Sequence, residues 1–308
     1  MISLIYCYIC YIFGAKTGDD SAGTKCRGFI GEDENTVEVL CLGTSTTANA
    51  LIPSVMYSEY GISSFNSSVY STTVKFEFGL YDECVKYQTP KLIIIDTEML
   101  SDEGKNEPAD IDNNFLAYPF TNHSRFSKLN SNDFIIKDLS LNENHFSYFK
   151  GYSFLSKTTS LGYWGSNDGT DFNHSLVSEK ESQLNSFVSK VTKDGASILF
   201  VTTPNQYTYS FHNYYEAYVD GNSQLAYLDF NDRAANDDTG IEASTDFAKE
   251  NHLNALGAQK LSIYLGKYIH NHYSLTDYRT IDDQNSKMEC SLTYIKNLFE
   301  EKKIKQLF

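Results

Sequence analysis

Two residues far apart in the chain have the types that nucleophilic catalysis needs. Ser45 stands in Gly43-Thr44-Ser45-Thr46-Thr47, just after the apolar run Val37–Leu42. A serine where a strand turns into a helix presents its hydroxyl. Its own N–H and the neighbouring amides of the helix start can hold an oxyanion. The same Thr-Ser-Thr-Thr run is also a good source of helix N-caps. His252 stands in Asn251-His252-Leu253-Asn254, directly before an amphipathic stretch. A histidine in a loop there is free to face the strand ends. Its neutral imidazole can accept a serine proton, which is the work of a general base. Together they suggest an acyl-transfer pair.

The elements between them must bring them together. Val37–Leu42 is β-branched and apolar, reads as a buried parallel strand, and is bounded by Gly43. Ala48–Tyr60 has helical character, opened or broken at Pro53 and ended by Gly61. Ile62–Asn66 reads as a second strand. Val74, Phe78, Tyr81 and Val85 recur at helical spacing and predict a helix over 72–88. Lys91–Asp96 is the strongest strand signal, and Ser197–Thr202 and Leu225–Phe230 are further strands. Leu184, Phe187, Val188 and Val191 mark an amphipathic helix ending near Gly195; Leu261, Leu265 and Ile269 mark another from near Asn254. Alternating strands and helices imply an α/β fold with a parallel sheet covered on both faces. Ligands of such sheets bind at the carboxyl ends of the strands, where Ser45 falls.

Composition narrows the function classes. The chain has 308 residues, with 40 acidic and 25 basic side chains and a net charge of −15. Nucleic acid is a poor partner for such a surface, because phosphate binding needs clustered Lys and Arg. Six cysteines form no regular framework. Cys7 and Cys10 have C-x-x-C spacing but lie inside an apolar run, the wrong context for a redox pair. The histidines show no metal-ligand spacing, and no phosphate-binding loop or dinucleotide fingerprint occurs. No metal or cofactor is expected.

Val37–Ser45 (VEVLCLGTS) resembles the first block of the SGNH (GDSL-like) hydrolases, in which the nucleophilic serine follows the first strand. Thr245–Tyr268 (TDFAKENHLNALGAQKLSIYLGKY) resembles their last block, with the catalytic histidine before the closing helix. The variant is similar to envelope-associated members of Gram-positive bacteria, in the style of D-alanyl transfer and alginate-acetylation proteins. The resemblance covers most of residues 30–275, and its two end blocks are the specific part. It implies a flavodoxin-like three-layer sandwich and a serine esterase or O-acyltransferase acting on acylated carbohydrate or a small ester. A membrane acyltransferase is an implied partner, and an extracellular or cell-surface location is implied.

Three departures from the family pattern stand out. The family's acid lies three residues before the histidine, where this chain has Lys249. A lysine cannot accept the imidazole N–H. Asp246 and Glu250 are nearby, and Asp246 is taken as the substitute acid. The glycine expected after the second strand, an oxyanion donor, is absent; Asn66-Ser67-Ser68 stands there, and the N–H of Ser67 or Ser68 could serve. Gly165-Ser166-Asn167-Asp168 matches the family's G-x-N-D block in letters, making Asn167 an oxyanion candidate beside the amide of Ser45. It lies deep in an insert rather than after a strand, and Asn-Asp-Gly is also an ordinary turn signal. Loss of the acid favours a second reading, a non-catalytic glycan-binding or scaffold member of the same fold.

The expected organisation has three parts. Residues 1–20 contain the apolar run Ile2–Phe13, which reads as a signal peptide, a membrane-anchor remnant or a buried strand. It is shorter than the roughly 20 residues that span a bilayer. Residues 21–280 form the α/β domain, with an aromatic-rich insert at about 98–180 that could be a lid or a small local core. Residues 281–308 carry an amphipathic helix, read as Leu292–Phe308, with Lys302, Lys303 and Lys305 near its end.

Overall fold

Val39, Leu40, Cys41 and Leu42 are all fully buried, which a strand achieves only when both of its faces are covered. They form β1 (Val39–Leu42). In a computed structural model, residues 31–70, 73–101, 147–165, 175–206, 211–232, 237–281 and 285–308 are described, with Tyr8 and Phe29. The other strands of the main sheet are β2 (Ser64–Asn66), β3 (Leu92–Asp96), β4 (Ser197–Thr202) and β5 (Leu225–Asp229). All pair in parallel, in the order β2-β1-β3-β4-β5. This is the flavodoxin-like order, whose switch point lies between β1 and β3. The α/β class with helices on both faces of a parallel sheet is therefore established.

The period-two alternation of the strands sorts the helices into layers. Leu40, Leu42, Ile93, Ile95, Ile198 and Phe200 face one side. There they meet α3 (Val74–Cys84), α4 (Ser178–Lys193) and α5 (His212–Val219). Val39, Cys41, Leu92, Ile94, Leu199 and Val201 face the other side. They meet α2 (Pro53–Tyr60) and α6 (Ala255–His272). The short α1 (Ser45–Ala50) follows β1 after a two-residue turn and precedes α2. Pro53 occupies the first position of α2, where its missing N–H costs nothing, so the helix begins anew there. Gly61 closes α2 in the left-handed region, at φ +69°.

Two expected elements differ, and one helix was not expected. His252 does not sit in a loop. It opens β7 (His252–Leu253), which pairs antiparallel with β6 (Phe247–Lys249). The C-terminal helix, α7, runs from Ser286 to Glu301, so Lys302, Lys303 and Lys305 lie beyond its end. Its Ile295 and Phe299 pack with Ile52 and Val55, making it part of the domain core. The helix α5 carried too weak an apolar stripe to be expected, with Tyr215 its only buried residue.

The central described part of the insert is a strap. Residues 147–165 cross from the β2 edge toward β4 through backbone bonds. Asn66 N–H donates to Lys150 O, Ser153 N–H to Ala48 O, Ala255 N–H to Leu155 O, and Thr159 N–H to Phe247 O. Gly165 N–H then reaches Asn205 O, after β4. Gly151 permits the first crossing: at φ +81°, an added Cβ would lie 1.9 Å from Asn66 O. Tyr152 and Trp164 are buried, as expected of core aromatics, while Tyr148 and Tyr163 are exposed. The run Ile2–Phe13 apart from Tyr8, the Cys7 and Cys10 pair, and 102–146 lie outside the described residues. Among the described residues, no helix is long and apolar enough to cross a membrane.

Candidate functional site

The switch point of the sheet is where β1 delivers the chain into α1. Gly43 and Thr44 make the turn, and Ser45 is the first helical residue. Two buried carboxylates hold this turn. Asp96, the last residue of β3, accepts at Oδ2 from Thr44 N–H (3.3 Å), Thr44 Oγ1 (3.1 Å) and Thr46 Oγ1 (2.9 Å). Its Oδ1 accepts from Glu98 N–H at 3.0 Å. From the other side, Glu77 of α3 accepts from Gly43 N–H (3.3 Å) and Val69 N–H (3.2 Å). Gly43 lets Asp96 approach this closely: a Cβ there would lie 2.5 Å from Asp96 Cβ. The residues on either side of Ser45 are thus fixed.

The second component arrives with the β6–β7 hairpin. Asn254 caps α6 by accepting from Leu256 N–H (3.0 Å) and Gly257 N–H (3.1 Å), and its Nδ2 donates to Thr245 O (2.7 Å). This fixes where β7 meets the helix. His252 Nε2 then lies 2.9 Å from Ser45 Oγ, within hydrogen-bond reach. On the other ring nitrogen, Nδ1 faces Asn251 Oδ1 at 2.5 Å. The carboxamide oxygen accepts, so Nδ1 carries the proton and Nε2 presents its lone pair to the Ser45 hydroxyl. Burial, and then the Lys249 ammonium, push the His252 pKa down to about 4, with Glu250 opposing. The imidazole is neutral at pH 7 and able to accept a proton.

Asp246 is not part of this arrangement. Its carboxylate is fully buried and receives Lys260 Nζ (2.7 Å), Glu242 N–H (2.7 Å) and Thr245 Oγ1 (2.9 Å). It stabilises the loop before β6 instead of the imidazole. Asn251 takes the orienting place, as in the Cys-His-Asn form of the triad. Its position next to His252 was visible in the sequence, but the antiparallel hairpin that folds it back was not.

The proposed amide donors divide. Ser45 N–H stands in the first turn of α1, where helix amides have no intrahelical acceptor. Ser67 N–H donates to Cys41 O at 2.9 Å, and Ser68 N–H to Asn66 Oδ1 at 3.2 Å. The first continues the β1–β2 pairing and the second closes a local turn on Asn66, so neither of these expected oxyanion donors is left open for an oxyanion. Asn66 itself is structural: its Nδ2 donates to Thr47 O (2.9 Å) and Leu51 O (3.0 Å), satisfying the end of α1. Asn167 lies outside the described residues.

Asp96, Glu77 and Asn251 are the residues that reading the sequence missed. Asp96 ended the strongest strand signal, and a carboxylate at the carboxyl end of a central strand was the available clue. Among the described residues no group of His, Cys, Asp and Glu is placed to hold a metal ion. No family model matches the chain, and no curated protein sequence does either.

Proposed function

We propose that this protein is an SGNH-type serine esterase or O-acyltransferase, acting on an acylated envelope glycan or a related ester. The observation that carries the reading is the 2.9 Å approach of His252 Nε2 to Ser45 Oγ at the switch point of the sheet. Ser45 Oγ attacks the acyl carbon while His252 takes its proton. The oxyanion forms beside the Ser45 amide. Collapse expels the alcohol, which recovers the proton from His252 and leaves an acyl-Ser45 ester. Water or an acceptor hydroxyl, deprotonated by His252, then attacks that ester, and the acyl–Ser45 bond breaks as His252 returns the proton to Ser45 Oγ. A fluorophosphonate probe tests this: it should label Ser45, and Ser45→Ala should abolish labelling. Labelling that survives the substitution refutes the assignment.

A second reading has its own support. Lys249 holds the place of the family's acid, and Asp246 is engaged with Lys260. Both suit a non-catalytic glycan-binding or scaffold protein of the same fold, working with a membrane acyltransferase. Ester hydrolysis by the purified protein separates the two readings. Hydrolysis that depends on Ser45 and His252 excludes the scaffold.

A further inference from the structure

Lys249 and His252 are opposite partners in the β6–β7 hairpin. Residues directly opposite one another on antiparallel strands project to the same face, with Cβ atoms about 5 Å apart. The register is irregular between Phe247 and Lys249, leaving Ala248 as an extra residue. A bulge of this kind re-aims the side chain beside it and is common next to active sites. The Lys249 side chain is exposed, and among the described residues it forms no ion pair. Of the acids near it in sequence, Asp246 is already paired with Lys260, and the adjacent Glu250 forms no ion pair with it.

We propose that Lys249 determines specificity, its ammonium receiving a carboxylate or phosphate that the ester substrate carries close to its scissile carbonyl. This rests on the reading of Ser45 and His252 as nucleophile and base. The charges acting on the imidazole are Lys249 and Glu250, both from the hairpin. The sequence of α1, packed against β7, contributes no charge. A lysine beside a catalytic base is a handicap while its charge is uncompensated, because it opposes formation of the imidazolium. A bound anion cancels that charge. The correct substrate thereby supplies the negative charge that an aspartate three residues before the histidine would otherwise provide. The protein's net charge of −15 gives no long-range attraction for an anion. Recognition is accordingly a short-range contact, inside a screening length of about 8 Å.

Two matched substrate pairs test this. One pair is mono-4-nitrophenyl succinate against 4-nitrophenyl butyrate. The other is 1-acetylglycerol 3-phosphate against 1-acetylglycerol. The Ser45→Ala protein supplies the background rate. The expected result is a kcat/KM about fivefold higher for the anionic member of at least one pair. The arm that responds identifies carboxylate or phosphate. Lys249→Met should bring the ratio to about one, Lys249→Arg should keep it, and Lys249→Glu should invert it. With the neutral esters, Lys249→Met should also move the acidic limb of the pH–rate profile upward. A merely structural lysine would not move that limb. Equal rates within both pairs for the unmodified protein, or a preference that survives Lys249→Met, overturns the proposal. So does labelling of Ser45 without turnover of either pair. If Ser45 is neither labelled nor needed, the functional reading itself fails.

Discussion

Asn251 Oδ1 lies 2.5 Å from His252 Nδ1, so a neutral carboxamide from the adjacent residue orients the imidazole. A carboxamide fixes the tautomer as a carboxylate does, but it adds no charge to stabilise the imidazolium. The site therefore has orientation without electrostatic support, and Lys249 works against that support. Asn251→Asp should restore the missing charge at the same geometry. On the proposed esterase function, the expected result is a higher kcat, with the acidic limb of the pH–rate profile moved upward. Asn251→Ala should lower kcat by about tenfold to a hundredfold. The KM for a small ester should change little. An unchanged kcat in Asn251→Ala would show that Asn251 does not orient His252.

His252 and His212 should have opposite effects on stability. The His252 pKa is held at about 4, below the 6.5 of an unfolded chain. Between those values the unfolded state binds more protons, so stability rises with pH. The His252 contribution is complete above pH 6.5 and is lost as pH falls toward 4. His212 is the reverse. Its Nδ1 lies 3.0 Å from Asp229 Oδ2, and that hydrogen bond raises its pKa above 6.5 despite partial burial. Its contribution is complete below 6.5 and is lost as pH rises through the raised value. Urea unfolding at a series of pH values should show both slopes. His252→Gln should flatten the acidic side, and His212→Gln should flatten the neutral side.

How much of this could be read from the sequence depended on whether the information was local. The strand Ser197–Thr202 and the helix start at Asn254 were legible, because an apolar run and an N-cap are written in adjacent letters. Ser45 was legible for the same reason, standing directly after a buried strand. The role of Asp96 was not. It depends on a parallel register that sets Leu42 opposite Ile95, bringing the end of β3 alongside Gly43. The commitment of the Ser67 amide to Cys41 O comes likewise from β1–β2 pairing that no local signal carries. Asp246 misled because sequence proximity to His252 is not spatial proximity. The preceding loop folds its carboxylate onto Lys260, one turn into α6.

Gly43 and Asp96 form one packing unit. An alanine methyl at Gly43 would lie 2.5 Å from Asp96 Cβ, 3.0 Å from Thr47 Oγ1 and 3.1 Å from Asp96 Oδ2. The Asp96 side chain cannot swing away, because it is fully buried and bonded at both oxygens. Gly43→Ala should cost about 1–3 kcal/mol in stability. It should also slow probe labelling of Ser45, since the turn must shift. Asp96→Asn keeps the volume but sets an NH2 against N–H or O–H donors in either orientation. It should cost a similar amount, about 1–3 kcal/mol. Equilibrium unfolding and the labelling rate report the two effects separately. Wild-type labelling in Asp96→Asn would show that the carboxylate does not position Ser45.

The strap is anchored by a buried ion pair, which makes its attachment sensitive to a single change. Lys150 Nζ lies 2.5 Å from Glu32 Oε2, with side-chain exposures of 1% and 4%. Burial pulls the Lys150 pKa down and pushes that of Glu32 up, while each partner's charge opposes the shift in the other. Removing one partner leaves an uncompensated buried charge, so Lys150→Met should destabilise the protein by about 3–5 kcal/mol. Replacing both, as Glu32→Leu with Lys150→Met, should recover most of that loss. Buried pairs are often matched by apolar residues of similar volume. The strap also contacts the site, because Ser153 O accepts from Asn49 Nδ2 at 2.6 Å, one helical turn beyond Ser45. Lys150→Met should therefore expose the Asn49 region to hydrogen exchange before the main sheet opens. Simultaneous loss of protection in both would show that the strap and the sheet unfold as one unit.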